Sequence, residues 1–283
     1  MVTMELKNKL KQTLKNSIRL NIEGKADLTP GATRFGGKPD VPKDFRWDYY
    51  EGDGSDGEVR KRPLSFIAQF NLEEMSKYDT EKLLPEKGLL SFFYEADSMC
   101  AGYDPKHKGC AKVYYFEDIS KLEPMDFPDE IEDYFRYPAM GIKARQEDSY
   151  QDYGDFLLQK DKMIECWDDY DRAAKALKIN VPDTSSKLLG WPDIIQDNMT
   201  VECELVDRGY YLGGSWDKVT PRDMQEAEQS SLKNWLLLFQ LDSVTEDDFE
   251  LMFGDCGRIY YYIKREDLEA GRFDKVWLIM QCC

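Results

Sequence analysis

Apolar residues recur along this chain in two rhythms. Near its start, Leu6, Leu10, Leu14 and Ile18 fall at four-residue steps among lysines, which predicts an amphipathic helix over 4–20 packed on the body. The Gly- and Pro-punctuated TPGATRFGGKPDVPKDFRW that follows reads as ordered loop, and EGDGSDGEVRKR (51–62) as an exposed hairpin tip or flexible loop. LSFIAQFNL (64–72), GLLSFFYEA (88–96) and KVYYFED (112–118) are strand-like, and AMGIKAR (139–145) adds a further strand. The acidic, proline-bearing EPMDFPDEIEDYF (123–135) reads as the connector between two halves, 1–150 and 151–283.

The second half repeats the alternation. Residues 155–178 predict an amphipathic helix with Leu157, Met163, Ile164, Trp167, Ala174 and Leu177 on one side. MTVECELV (199–206) reads as extended. PRDMQEAEQSSLKN (221–234) reads as a helix with Thr220 as N-cap and Pro221 at its first position. Strands follow at 235–243, 257–263 and 275–283.

Set side by side, the halves share more than apolar runs. Gly37-Lys38-Pro39-Asp40 answers Gly190-Trp191-Pro192-Asp193, and Phe66–Asn71, with Gln69, answers Leu237–Asp242, with Gln240. Gly88 with Leu89–Tyr94 answers Gly257 with Arg258–Ile263, and Lys112–Tyr115 answers Lys275–Leu278. Order is kept and spacing drifts only as loop insertions allow. The expectation is an α+β protein built by internal duplication of a strand-rich unit with flanking helices. Its N-terminal repeat carries the leading helix, and the two repeats pair about an approximate pseudo-two-fold axis as one globular unit.

Composition narrows the function. The net charge of −17 repels phosphate backbones, which argues against nucleic acid, and favours encounter with a basic partner. The N-terminal segment has no apolar signal core and no run reaches the ~20 apolar residues of a spanning helix, so no membrane role is expected. Seven cysteines at irregular spacing, Cys100, Cys110, Cys166, Cys203, Cys256, Cys282 and Cys283, read as reduced thiols of a cytoplasmic protein.

Several motifs together fit one pattern: Arg34-Phe35-Gly36-Gly37-x-Pro39-x-x-Pro42, Ala68–Leu72, Leu236–Ser243, Gly254-Asp255-x-Gly257 and the terminal Gln281-Cys282-Cys283. On these the chain resembles the bacterial YwqG-like family, a group of unknown function. The resemblance implies a cytosolic α+β fold with internal duplication and no assigned reaction. Family members often carry Trp where this chain has Phe253, so the resemblance implies an aromatic role there.

Chemical signatures are few. Cys100, His107 and Cys110 share one loop, but there is no paired-cysteine spacing and His107 is the chain's single histidine, so no metal site is expected. The acidic stretch 242–257 lacks the ligand order of a calcium loop. No nucleophile elbow, Walker loop or dinucleotide fingerprint occurs, so no catalytic residue is assigned and no cofactor is expected. Gln69, Asn71, Gln240 and Asp242 stand out as polar residues on strands that otherwise read as buried. Either they satisfy backbone in the Gly-x-Pro loops, or, with Asp255, they line a ligand-binding cleft between the repeats. The reading is a non-enzymatic binding protein for a basic protein or a small ligand. The alternatives are a hydrolase, or a protein that binds a divalent cation, using those same acidic and amide groups.

Overall fold

In the computed structural model, which describes residues 2–54, 56–155, 167–179, 185–246 and 248–282, the N-terminal four-residue stripe is shared by two elements. Helix α1 (Val2–Gln12) keeps Leu6 and Leu10, buried against Tyr170 and Ala173. Ile18 instead faces the main core from strand β1 (Lys15–Lys25), and Leu14 is exposed. This corrects the single helix expected over 4–20. A step of four is close to one helical turn and is also two strand periods, and β-branched Ile18 and Ile22 favour the strand.

The 29–47 segment, expected as loop, contains short strands β2 (Arg34–Phe35) and β3 (Asp40–Pro42). A hairpin, β4 (Tyr49–Asp53) with β5 (Val59–Pro63), precedes β6 (Ser65–Asn71), the one-turn helix α2 (Leu72–Met75), β7 (Leu89–Tyr94) and β8 (Ala111–Phe116). The connector begins with β9 (Leu122–Pro124), which pairs with β3 and so folds back on the first half before β10 (Met140–Ser149).

In the second half, helix α3 (Trp167–Leu177) ends the amphipathic stretch, and Trp167 is exposed where the apolar side was expected. Leu157, Met163 and Ile164 lie outside the described residues. Then come β11 (Lys187–Leu188), α4 (Met199–Asp207), α5 (Pro221–Asn234), β12 (Trp235–Asp242), β13 (Val244–Glu246), β14 (Phe249–Leu251), β15 (Arg258–Lys264), α6 (Arg265–Glu269) and β16 (Trp277–Gln281).

Helix α4 corrects the extended reading of 199–206. Its N-cap Asn198 accepts from the N–H groups of Thr200 and Val201 at 3.0 and 3.3 Å. Met199 and Cys203 pack on the sheet, while Val201, Leu205 and Val206 pack toward α5. A helix covered on both faces loses the one-sided stripe that would have identified it. Helix α5 starts as expected, with Thr220 Oγ1 accepting from Asp223 N–H.

Ten strands form one antiparallel sheet in the order β16-β15-β12-β11-β1-β10-β2-β6-β7-β8. The order reads alike from either end, with the β1–β10 pair at its centre. Outside that pair lie two wings, β2-β6-β7-β8 and β11-β12-β15-β16. Four strands separate β6 from β12, yet the Phe70 ring lies 5.1 Å from Phe239 and Phe92 lies 4.8 Å from it. The sheet therefore curls until its wings face one another across a shared aromatic core.

The wings match in detail. Each carries a register shift at the same step, between Phe66 and Ala68 and between Leu237 and Phe239. Gly36 and Gly37 have φ of 59° and 73°, and Leu189 and Gly190 have 60° and 79°. Gly88 and Gly257 pass so close to the neighbouring strand that a Cβ would lie 2.6 Å from Phe116 O and 2.4 Å from Gln281 O. Sheet register sets Val113 against Leu278 as counterparts, two residues away from the Lys112–Lys275 alignment read in the sequence.

Candidate functional site

The polar strand residues organise two separate clusters. On β6, Gln69 is fully buried; its Oε1 accepts from Asp40 N–H at 3.1 Å, and its Nε2 donates to Ala32 O at 2.9 Å and to Asp40 Oδ2 at 2.6 Å. Asp40 Oδ2 also accepts from Arg34 Nη1 at 2.8 Å and from Gly31 N–H at 2.7 Å. Asn71 donates to Gly31 O at 3.0 Å and accepts from Glu73 N–H as the N-cap of α2.

On β12, Gln240 Oε1 accepts from Asp193 N–H at 2.9 Å, and its Nε2 donates to Ser185 O and to Asp193 Oδ2. Asp242 accepts from Ser185 N–H at 3.1 Å and from Arg258 Nε at 3.1 Å. Lys187 Nζ reaches Asp193 Oδ1 at 2.8 Å, and Arg19 Nη1 reaches Oδ2 at 3.1 Å. Burial pulls the Asp193 carboxyl up, but Lys187 and Arg19 hold it below its ordinary value; the desolvated Lys187 ammonium is pushed down. Arg258 Nη1 and Tyr260 OH both donate to Asp193 O.

Residues adjacent to these glutamines, Phe70 and Phe239, point into the shared core, so the amides point outward on opposite wings. The structure does not bring Gln69 and Asn71 together with Gln240 and Asp242. Asp255 is exposed in the turn after β14. Both amides bind the Gly-x-Pro-Asp segment of their own wing, as the first of the two sequence readings describes. Of the acids in 242–257, Asp242 pairs with Arg258 and Asp248 with Lys25. Among the described residues, no three His, Cys, Asp or Glu side chains are arranged to hold a metal ion.

A concave site exists elsewhere, on the outer face of the first wing. The β4–β5 hairpin and residues 130–135 enclose a cleft of about 200 Å³. Ser65 and Glu95 lie in its floor, Arg60 to Pro63 form one wall, and Glu130, Ile131, Glu132 and Phe135 form the other. Glu95 is almost fully buried, its carboxyl accepting from Asp97 N–H at 3.2 Å, from Ser98 N–H at 3.1 Å and from the Ser98 hydroxyl; burial raises its pKa all the same. Arg62 is a strut, paired with Asp97 and with Asp56 Oδ1 at 2.9 Å and donating to Gly52 O at 2.8 Å. Glu132 meets Arg60 only at 3.8 Å. The volume is below the roughly 300–1,000 Å³ of drug-sized pockets and suits a single side chain.

Sequence reasoning placed this hairpin but not the cleft, because the opposite wall comes from the connector, far along the chain. The available signal was the Arg60-Lys61-Arg62 run facing the acids of 129–133.

A family model described as a domain of unknown function (DUF1963) matches residues 33–282. No curated protein matches the chain.

Proposed function

The chain belongs to the DUF1963 family, a domain of unknown function, and from that premise we propose that it is a binding protein whose cleft takes a cationic side chain of a basic protein partner. The observation that carries this reading is the acidic rim, where Glu132 meets a cation only at 3.8 Å and Glu130 is bonded by the Tyr49 hydroxyl and not by a cation. Glu130 and Glu132 stand at the mouth of a side-chain-sized cleft in a chain of net charge −17. Complementary charge would speed encounter, and the cleft would supply selectivity for an extended lysine or arginine.

The reading includes an origin by duplication, supported by the strand order, the paired register shifts and the two glutamine–aspartate clusters. It also includes a bacterial, cytoplasmic setting of the YwqG-like kind, supported by the sequence motifs and by the free thiols of Cys100, Cys110, Cys203, Cys256 and Cys282. The hydrolase alternative required convergence of Gln69, Gln240, Asp242 and Asp255, and these lie on separate wings.

The test is titration with fluorescent Lys-rich and Arg-rich peptides at low and high salt. Glu130→Gln with Glu132→Gln should weaken binding about tenfold or more, corresponding to 1.4 kcal/mol or more. Glu250→Gln with Glu269→Gln, which removes equal charge from exposed positions away from the cleft, should weaken it far less. Equal losses from the two pairs would reject the cleft as the contact.

A further inference from the structure

We propose that the partner of the cleft binds as an extended segment that adds a third strand to the free edge of β5. This rests on the cleft reading above and adds the form in which the cationic side chain is delivered. The β4–β5 hairpin is a separate sheet of two strands, so each strand has one unpaired edge. Its ladder fixes which groups face outward. Leu64 N–H donates to Asp48 O at 3.1 Å and Gly54 N–H donates to Glu58 O at 3.2 Å, in register with the pairing of Tyr50 with Arg62 and of Gly52 with Arg60. Antiparallel bonding alternates, so these even-numbered residues bond across the hairpin. Val59 and Lys61 therefore turn their N–H and C=O groups away from β4. Among the described residues, no hydrogen bond within the chain takes up these four groups. Pro63, at the next outward position, has no N–H and ends the run of donors.

That edge borders the cleft. Arg60 to Pro63 line it, and no residue of β4 does. Strand β4 lies instead toward the 97–106 loop, where Tyr50 OH donates to Lys106 O at 3.2 Å. Val59, Arg60 and Lys61 are exposed, so the edge is open to a partner. An incoming strand would pair with it through main-chain bonds and carry its side chains past the facing wall, Glu130 to Phe135.

Charge identifies the occupant. Residues 48–63 carry five acids and three bases, and each base is already answered. Arg60 pairs with Asp56 at 2.8 Å, Arg62 pairs with Asp56 and Asp97, and Lys61 lies opposite Glu51. The facing stretch 123–135 carries six acids and no base. A segment seated between these walls meets an excess of negative charge, which favours a basic one. Val59 on β5 and Tyr134 in the facing segment, 66% and 64% exposed, offer apolar surface to the stems of lysine or arginine. Backbone pairing then supplies affinity that is indifferent to side chains, and the acids supply the preference for cations. A second copy of this chain suits the edge less well, because two β5 edges would set Arg60-Lys61-Arg62 against itself.

The experiment titrates the full chain with a fluorescein-labelled heptapeptide of alternating lysine and threonine, and with two analogues. One analogue is N-methylated on the backbone of its lysines, the other on the backbone of its threonines. In an added strand these two sets of N–H groups point to opposite edges. One analogue should therefore bind about tenfold or more weaker, and the other within about threefold of the parent. Lys61→Pro removes an outward N–H without touching the bonds to β4, and should weaken the parent peptide about tenfold as well. Lys61→Gln keeps the N–H, removes a like charge and should tighten binding. Equal affinities for the two analogues would overturn strand addition; if Glu130→Gln with Glu132→Gln still weakened the parent peptide, the cleft reading would stand without it. Failure of the parent peptide to bind would overturn both. A dimer of the chain that Lys61→Pro dissociates would give the edge to a second copy and overturn the proposal.

Discussion

Asp40 and Asp193 hold corresponding places on the two wings, and their surroundings differ sharply. Each accepts from the Nε2 of a strand glutamine, Gln69 or Gln240, whose Oε1 in turn accepts from the aspartate's own N–H. Asp40 is sealed, with no side-chain exposure and Arg34 as its ion-pair partner. Asp193 retains 28% side-chain exposure and two cationic partners, Lys187 and Arg19. The difference starts in the central strand pair. Arg19 on β1 stands opposite Lys187, whereas the position on β10 opposite Arg34 is Gly141, which has no side chain to offer. The glutamine frame tolerates either surrounding because it bonds mainly backbone.

This contrast gives the largest expected effect. Arg34→Met leaves a desolvated carboxylate without its cation, and should cost about 3–5 kcal/mol in urea unfolding. Lys187→Met leaves Asp193 with Arg19 and some water, and should cost about 1–2 kcal/mol. Equal losses would mean that the sealed and open clusters are energetically alike, and the comparison would fail.

The outer faces of the wings diverge as well, and two buried acids report it. Between Asp40 and Gln69 the chain inserts the β4–β5 hairpin; between Asp193 and Gln240 it inserts α4 and α5. Phe66 and Phe93 are covered by Phe45 and Trp47 on the first wing, whereas Leu237 and Tyr262 are covered by Met199 and Cys203 on the second. Glu95, beneath the hairpin, is satisfied by three donors. Glu202, on α4, has an unpartnered Oε2, and burial, aided by the charge of Asp197, pushes its pKa up to about 8. A carboxyl whose folded value lies above its unfolded one holds more protons when folded. Its effect on stability is therefore neutral below the unfolded value near 4.5 and becomes a growing penalty as pH rises toward 8. Glu202→Gln should remove roughly 2–3 kcal/mol of stability loss between pH 5 and 8. Parallel stability–pH curves for the two proteins would show that Glu202 is not the desolvated group described here.

How much of this was legible in the sequence follows the same division. Gln69 and Gln240 stood out because an amide inside an apolar strand needs partners, and the recurring Gly-x-Pro-Asp supplied them. The core strands were legible for the same reason, since 64–72 and 235–243 are too apolar to be anything but buried. Helix α4 was not, because a segment covered by the sheet on one side and by α5 on the other shows no polar face. The division of 4–20 into helix and strand was hidden by a spacing that fits both periods. The cleft was hidden by distance along the chain, because Glu132 comes from the connector, which folds back on the first half where β9 pairs with β3. Pattern reading reports what one segment demands of its surroundings, and it does not report which distant segment answers.

The smallest expected effect tests whether exposure, and not charge as such, separates the two clusters. Lys25 Nζ pairs with Asp248 at 2.6 Å, closer than either Arg34 to Asp40 or Lys187 to Asp193, and unlike those two pairs it links the first half of the chain to the second. Its side chains are 51% and 76% exposed, so water and salt screen the attraction, and ordering two long side chains offsets what remains. Lys25→Ala should therefore leave the urea midpoint unchanged within error at physiological salt, although the Coulombic distance alone would rank this pair first. A clear drop in midpoint would mean that contact distance governs these ion pairs more than burial does. The contrast between a sealed Asp40 and an open Asp193 would then lose its physical basis.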